Sequence, residues 1–171
     1  MFAKAARNIL SMRVKEFIEK YGNLLPPYGV IVEDENVEKV LDMIKEGKHY
    51  IIVIDKHGKV RGMVTYLDLL LAMGGPKAVA AFMPFASLAS SLRKIKLSSS
   101  VLPKVLVKRI IERHPHYIRL DSTVEEAVDA MYRDHIYHVV IVDEKGRAKG
   151  ILTAHAIFRA VMEEIKAEEE K

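Results

Sequence analysis

Hydrophobic positions along this chain alternate between helical spacing and short unbroken apolar runs, and the whole order of these patterns occurs twice. Ile9, Leu10, Val14, Phe17 and Ile18 fall on a helical period, which predicts a helix over 1–21, ended by Gly22, Asn23, Pro26 and Pro27. A short strand is expected at 30–32. Asp34, Glu35 and Asn36 then supply cap residues for a helix from 37 to about 46, with Val37, Val40, Leu41 and Ile44 on one face and Gly47 as its stop. Residues 50–54 form a β-branched run long enough only for a buried strand. Asp55-Lys56-His57-Gly58 turns the chain, 60–64 return as the partner strand, and a helix over 66–73 is broken by Gly74-Gly75-Pro76.

A connector at 75–103 follows, Ala/Ser-rich, with a helix expected over 77–82. A structureless loop of that length is unusual in a compact domain, so it is expected to pack on a neighbour or to move. The order then repeats: helix 105–113, strand 117–120, helix 124–133, strand 138–142, turn 143–146, strand 148–152 and a helix from 154 to about 167. Val37-Glu38-Lys39-Val40 aligns with Val124-Glu125-Glu126-Ala127 at an offset of 87, whereas Asp55, Gly58, Gly62 and Thr65 align with Asp143, Gly146, Gly150 and Thr153 at 88. One residue is therefore inserted in the second copy, between its first helix and its hairpin. Two β-α-β-β-α units facing each other are implied, an α+β fold in which each unit has too little core to stand comfortably alone. The expected division is 1–74 for the first repeat with its N-terminal helix, 75–103 for the connector, and 104–171 for the second repeat.

Composition narrows the chemistry. With no cysteine, disulfides, thiolate metal sites and a cysteine nucleophile are excluded. The absence of glutamine and the three asparagines, beside abundant Glu, Lys and Arg, lean toward a heat-adapted source. The most apolar stretch, 69–92, is interrupted by Gly74, Gly75, Pro76, Lys77 and Pro84, so no membrane span is expected and the protein reads as cytoplasmic. The net charge is +4, yet 163–171 hold five Glu and two Lys, a local −3 that leaves about +7 elsewhere. Seven Lys/Arg against Glu112 alone crowd 93–113, a segment that is either a solvated surface or an attractor of nucleic acid or nucleotide phosphates.

Candidate chemistry is sparse. His114-x-His116 and the pair His135 and His138 lack a third ligand at motif spacing, so no metal site is expected. Glu125 and Glu126 diverge on a helix and Asp121 reads as a turn or cap residue, so no carboxylate pair is set up for acid–base work. No Walker loop, Rossmann fingerprint or Gly-x-Ser-x-Gly occurs, and the protein is not expected to be an enzyme. What recurs is Gly62-Met63-Val64-Thr65-Tyr66-Leu67-Asp68, and in the second copy Gly150-Ile151-Leu152-Thr153 with Ala156 in the aspartate's place. Thr65-x-x-Asp68 by itself admits two roles, a helix cap or a ligand-binding pair.

These two copies, each with its apolar strand and Asp-x-x-Gly turn (Val53-Ile54-Asp55-Lys56-His57-Gly58 and Ile141-Val142-Asp143-Glu144-Lys145-Gly146), resemble the cystathionine β-synthase (CBS) domain pair, or Bateman module. The resemblance covers most of the chain. It implies tandem repeats related by a pseudo-two-fold axis, with helical N-terminal and linker additions, in a stand-alone thermophile-like protein. It also implies a homodimeric regulatory module that binds an adenosine-bearing ligand such as AMP, ADP, ATP or S-adenosylmethionine in a cleft between repeats and controls an unknown protein. Transferred to matching positions, Asp68 takes the ribose, Thr65 approaches the phosphates and Met63 forms an apolar wall, while His116, Tyr117, Ile136, Tyr137 and His138 hold the base. A second, weaker site uses Thr153 with Gly29, Val30, Lys48 and His49, and Ala156 deprives it of a ribose acceptor. A nucleotide is a ligand here, and no catalytic cofactor is implied. Nucleic-acid binding through 93–113 and a ligand-free dimerisation scaffold are the alternatives.

Overall fold

The computed structural model describes residues 1–74, 102–111 and 116–170. The expected helix over 77–82, the histidine at 114 and most of the basic 93–113 segment lie outside the described residues. Six α-helices are described: α1 (Phe2–Ser11), α2 (Val14–Tyr21), α3 (Val37–Lys45), α4 (Tyr66–Gly74), α5 (Val124–Asp134) and α6 (Ala154–Glu169). The described strands are β1 (Tyr28–Val32), β2 (Tyr50–Ile54), β3 (Val60–Val64), β4 (Tyr117–Arg119), β5 (His138–Val142) and β6 (Ala148–Thr153). They form two three-stranded sheets, ordered β1-β2-β3 and β4-β5-β6, so the α+β fold expected from the duplicated pattern is the one observed.

Two compact units result. One joins Met1–Tyr28 to Pro115–Lys171, and the other is Gly29–His114. The expected division ran in sequence order, with the N-terminal helix grouped with the first repeat. In the structure α1 packs against α6, and Ala5, Ile9, Val14 and Phe17 share a core with Val139, Leu152, Ala156 and Ala160. Lys4 pairs with Glu168 at 2.6 Å, while Lys20 and the Tyr21 hydroxyl both donate to Glu164, at 2.8 and 2.5 Å. The apolar stripe on α1 and α2 has to be buried somewhere, and the last helix presents the matching face.

The expected single helix over 1–21 is two. Met12 and Arg13 are extended because their main-chain groups bond to the β4–α5 loop: Val124 N–H donates to the Met12 carbonyl, Val14 N–H to Ser122 and Lys15 N–H to Leu120. The same diversion corrects the helix expected over 105–113. Its described part, 105–111, holds a single 3-10 turn, Val107–Arg109, preceded by another at Leu102–Lys104. Here Val37 N–H donates to the Val105 carbonyl, Val107 N–H to Glu35 and Lys108 N–H to Glu33. This bonding also explains why Asn36, at the N-cap of α3, makes no side-chain cap bond: the Val105 carbonyl satisfies the helix's first N–H. Backbone groups already committed to a neighbouring loop cannot also close helical turns.

Within the unit Gly29–His114, β2 and β3 are antiparallel with Ile51 opposite Val64 and Val53 opposite Gly62. Asp55 Oδ1 accepts the His57 and Lys59 N–H groups, and Gly58 closes the turn at φ +81°. In the other unit β5 and β6 keep the same pairing, and Asp143 accepts from Lys145 and Arg147. The inserted residue is absorbed by helix length. α3 is followed by Gly47 at φ +85°, whereas the longer α5 ends on His135, a non-glycine at φ 53°. Separate cores result, one around Val37, Val40, Ile51, Val53 and Val64, the other around Phe17, Val139, Ile141 and Leu152.

Candidate functional site

The two repeats treat the recurring threonine differently. At the start of α4, Asp68 Oδ2 accepts the Thr65 N–H at 2.7 Å and the Thr65 hydroxyl at 2.8 Å, and the Asp68 N–H returns to Thr65 Oγ1 at 3.3 Å. This is a reciprocal cap in which an aspartate does what glutamate commonly does. Both residues are half-buried, and the carboxylate sits at the positive end of the α4 dipole within reach of solvent. Met63, two residues earlier on β3, is also half-buried. A carboxylate of this kind can accept vicinal hydroxyls through charge-assisted bonds.

At the start of α6, Thr153 Oγ1 accepts the Ala156 N–H at 3.0 Å, with no carboxylate at the third helical position. Thr153 is 6% exposed and Ala156 is fully enclosed in the core that α1 and α6 share. Burial therefore separates the two motif copies as much as the side-chain change does.

Of the residues expected to hold a base, His116, Tyr117, Ile136, Tyr137 and His138 all belong to the unit Met1–Tyr28 with Pro115–Lys171 and come together at one end of its sheet. Tyr117 stands opposite Val140 in the parallel β4–β5 pair, and the His116 carbonyl accepts the Val140 N–H at 2.9 Å. His138 faces Thr153 across β5–β6, and the Tyr137 carbonyl accepts the Ala154 N–H. Tyr117 and Tyr137 are 58% and 79% exposed, whereas Ile136 packs on the core. Burial, with the nearby His116 charge, holds the His138 imidazole below its ordinary range. His116 Nδ1 lies 3.0 Å from Asp134 Oδ2. The Arg133 guanidinium, with His116 beside it, keeps the Asp134 carboxyl below its usual range.

Thr65, Asp68 and Met63 belong to the unit Gly29–His114, together with Gly29, Val30, Lys48 and His49. Gly29 is buried so closely that a Cβ there would stand 2.7 Å from Met43 Sδ and 3.4 Å from the Lys48 side chain. Lys48 pairs with Glu46 at 3.0 Å, and Val30 is exposed. His49 Nδ1 bonds the Tyr66 hydroxyl, which places His49 beside the chain neighbour of Thr65. In the basic segment Lys108 is held by Asp34 at 2.5 Å. Among the described residues no group of three or more His, Asp or Glu is arranged to hold a metal ion, and no helix is long and apolar enough to cross a membrane.

Two candidate residues were not singled out from sequence. Tyr66 sits inside the recurring motif, so its position was a usable signal. Asp134 lies 18 residues from His116 on a different element, and no spacing rule joins them.

A CBS domain family model matches residues 22–75 and 107–163. The magnesium transporter MgtE of Thermus thermophilus is 26% identical over 147 residues, covering 82% of this chain and 26% of the transporter, so the chain spans about a quarter of that relative's length. The crystal structure of the cytosolic domain of the Mg2+ channel MgtE in complex with ATP aligns with a TM-score of 0.56 at 23% identity, over 84% of this chain and 51% of that one. The CBS domain of a CBS domain-containing membrane protein from Sphaerobacter thermophilus aligns with a TM-score of 0.65 at 18% identity, over 92% and 93% of the two chains. CBSX2 in complex with AMP aligns with a TM-score of 0.58 at 20% identity, over 85% and 97%. These likenesses are likenesses of fold.

Proposed function

Since the chain belongs to the CBS domain family and carries two copies of its repeat, we propose that it is a regulatory module whose ligand is an adenine nucleotide and whose occupancy alters the affinity of a partner protein. The observation that carries this reading is the Thr65–Asp68 pair, a half-buried carboxylate at a helix start beside a hydroxyl. The ATP and AMP bound by two structural neighbours are in keeping with it. In this reading Asp68 takes the ribose hydroxyls, Thr65 approaches the phosphates and Met63 lines the sugar. His116, Tyr117, Ile136, Tyr137 and His138 hold the base. Thr153, with Gly29, Val30, Lys48 and His49, serves a weaker site, consistent with the burial of Ala156. The module works as a homodimer, and no catalytic step is part of its task. Regulation follows by linkage: a ligand that favours one state of the module changes the partner's affinity by the same coupling.

Calorimetric titration with AMP, ADP, ATP and S-adenosylmethionine tests the proposal. Saturable binding is expected for the wild-type chain. Asp68→Ala is expected to weaken it by about tenfold to a hundredfold while leaving the protein folded, since hydrogen bonds to charged groups contribute about 1.5–3 kcal/mol. A flat wild-type titration with all four ligands, or unchanged affinity in Asp68→Ala, overturns it.

A further inference from the structure

The last helix, α6, turns Ala156, Ile157, Ala160 and Val161 into the core, so its opposite side is expected to be polar. It is not. Phe158 and Met162 stand there one turn apart, 57% and 40% exposed. Phe2 of α1, 54% exposed, lies beside Phe158 with ring centroids 6.5 Å apart, so the apolar surface continues across two helices of the same unit. A single exposed apolar side chain needs no explanation, whereas several large ones side by side mark a surface that docks against something.

The charges on the patch point to what docks there. Arg159 and Glu163 each follow one of the two apolar residues of α6, and both are exposed. Their own ion pair is loose, with Arg159 Nη2 4.0 Å from Glu163 Oε1, and an exposed pair of that kind contributes little. The apolar pair is centred on Ala160 and the charged pair on Val161, only about 1.5 Å further along the helix. A two-fold axis beside that point lays a second α6 antiparallel on the first. Phe158 then meets the partner's Met162 while Arg159 meets the partner's Glu163, and both contacts recur on the other side of the axis. Equal and opposite charges at matched spacing make the face complementary to itself rather than to a strongly acidic or basic protein.

We propose that the surface formed by Phe2, Phe158 and Met162 seats a second copy of this chain, with antiparallel α6 helices exchanging Arg159 and Glu163 across the axis. The proposal rests on the homodimer in the reading above and assigns its contact surface.

Sedimentation equilibrium of the full chain and of three variants tests it. The wild type is expected to dimerise. Arg159→Glu sets carboxylate against carboxylate across the axis, and Glu163→Arg sets cation against cation. Each alone should weaken self-association by about tenfold, since symmetry reverses two contacts per dimer. Mixing these two variants restores opposite charges at both crossings, so the mixture should associate about as tightly as the wild type. Neither misfolding nor the pair within one helix produces such a recovery. Phe158→Ser should weaken the dimer by about tenfold or more. A dimer unchanged in Phe158→Ser, or a mixture no tighter than the separate variants, overturns the surface and leaves the homodimer standing. A wild type that stays monomeric throughout the concentration range overturns the homodimer and this proposal with it.

Discussion

Removing the carboxylate at the start of α4 should cost the ligand-free protein stability, and the size of the loss tests whether Thr65 and Asp68 act as one unit. Asp68→Ala deletes the acceptor of two bonds, from the Thr65 N–H at 2.7 Å and the Thr65 hydroxyl at 2.8 Å, and removes a negative charge from the helix N-terminus. Cap loss and dipole loss together amount to about 1–2 kcal/mol, tempered by water reaching a half-buried site. Thr65→Val keeps the N–H bond to Asp68 but loses both hydroxyl bonds, for about 1 kcal/mol. Because the bonds are reciprocal, the double variant should lose less than the sum of the two, by about 0.5 kcal/mol or more. Urea unfolding without nucleotide reads this directly, as midpoints that fall with an unchanged slope. Thermal midpoints should drop by about 2–4 °C per kcal/mol for a chain of this size. An Asp68→Ala protein as stable as the wild type, or more stable, would refute the reasoning: the carboxylate would then burden the free protein and be kept for a ligand alone. Strictly additive losses would show that the two residues cap independently.

Two further outcomes follow from burial. Ala156→Asp restores the motif's carboxylate in the second copy, but the position is fully enclosed, so the variant should lose about 3 kcal/mol or more and gain no nucleotide site. Unchanged unfolding midpoints would contradict the enclosure. His138, held below its ordinary range first by burial and then by the His116 charge, favours its neutral ring in the folded state. Its contribution is thus present above the unfolded imidazole pKa of about 6.5 and is lost as pH falls through the folded value. Urea midpoints should decline on acidification in the wild type and less in His138→Phe, with the neighbouring His116 and its partner Asp134 left in place. Parallel declines would assign the acid sensitivity to other groups.

How far the chain could be read in advance varied by element. The bounds of β2 and β5 follow from β-branched runs closed by Asp-x-x-Gly turns, and β3 is the strand that returns from the first of those turns, a signal contained in a few adjacent residues. The Thr65–Asp68 pair was legible for the same reason, since three positions on one helix turn bring a cap and its partner together. His116 and Asp134 were not, because the contact depends on how β4 is laid beside α5, which no local spacing encodes.

Taken alone, the sequence determined the duplicated β-α-β-β-α order and the difference at the motif's last position, Asp68 against Ala156. Both are properties of residue types at fixed local intervals. Tertiary structure decided that residues 12–13 interrupt the N-terminal helix, that 105–108 form no α-helix and that the N-terminal helices join the core of the second repeat. Periodicity reports which side chains avoid water but not where a main-chain N–H finds its acceptor, and in both segments that acceptor lies on a loop distant in sequence.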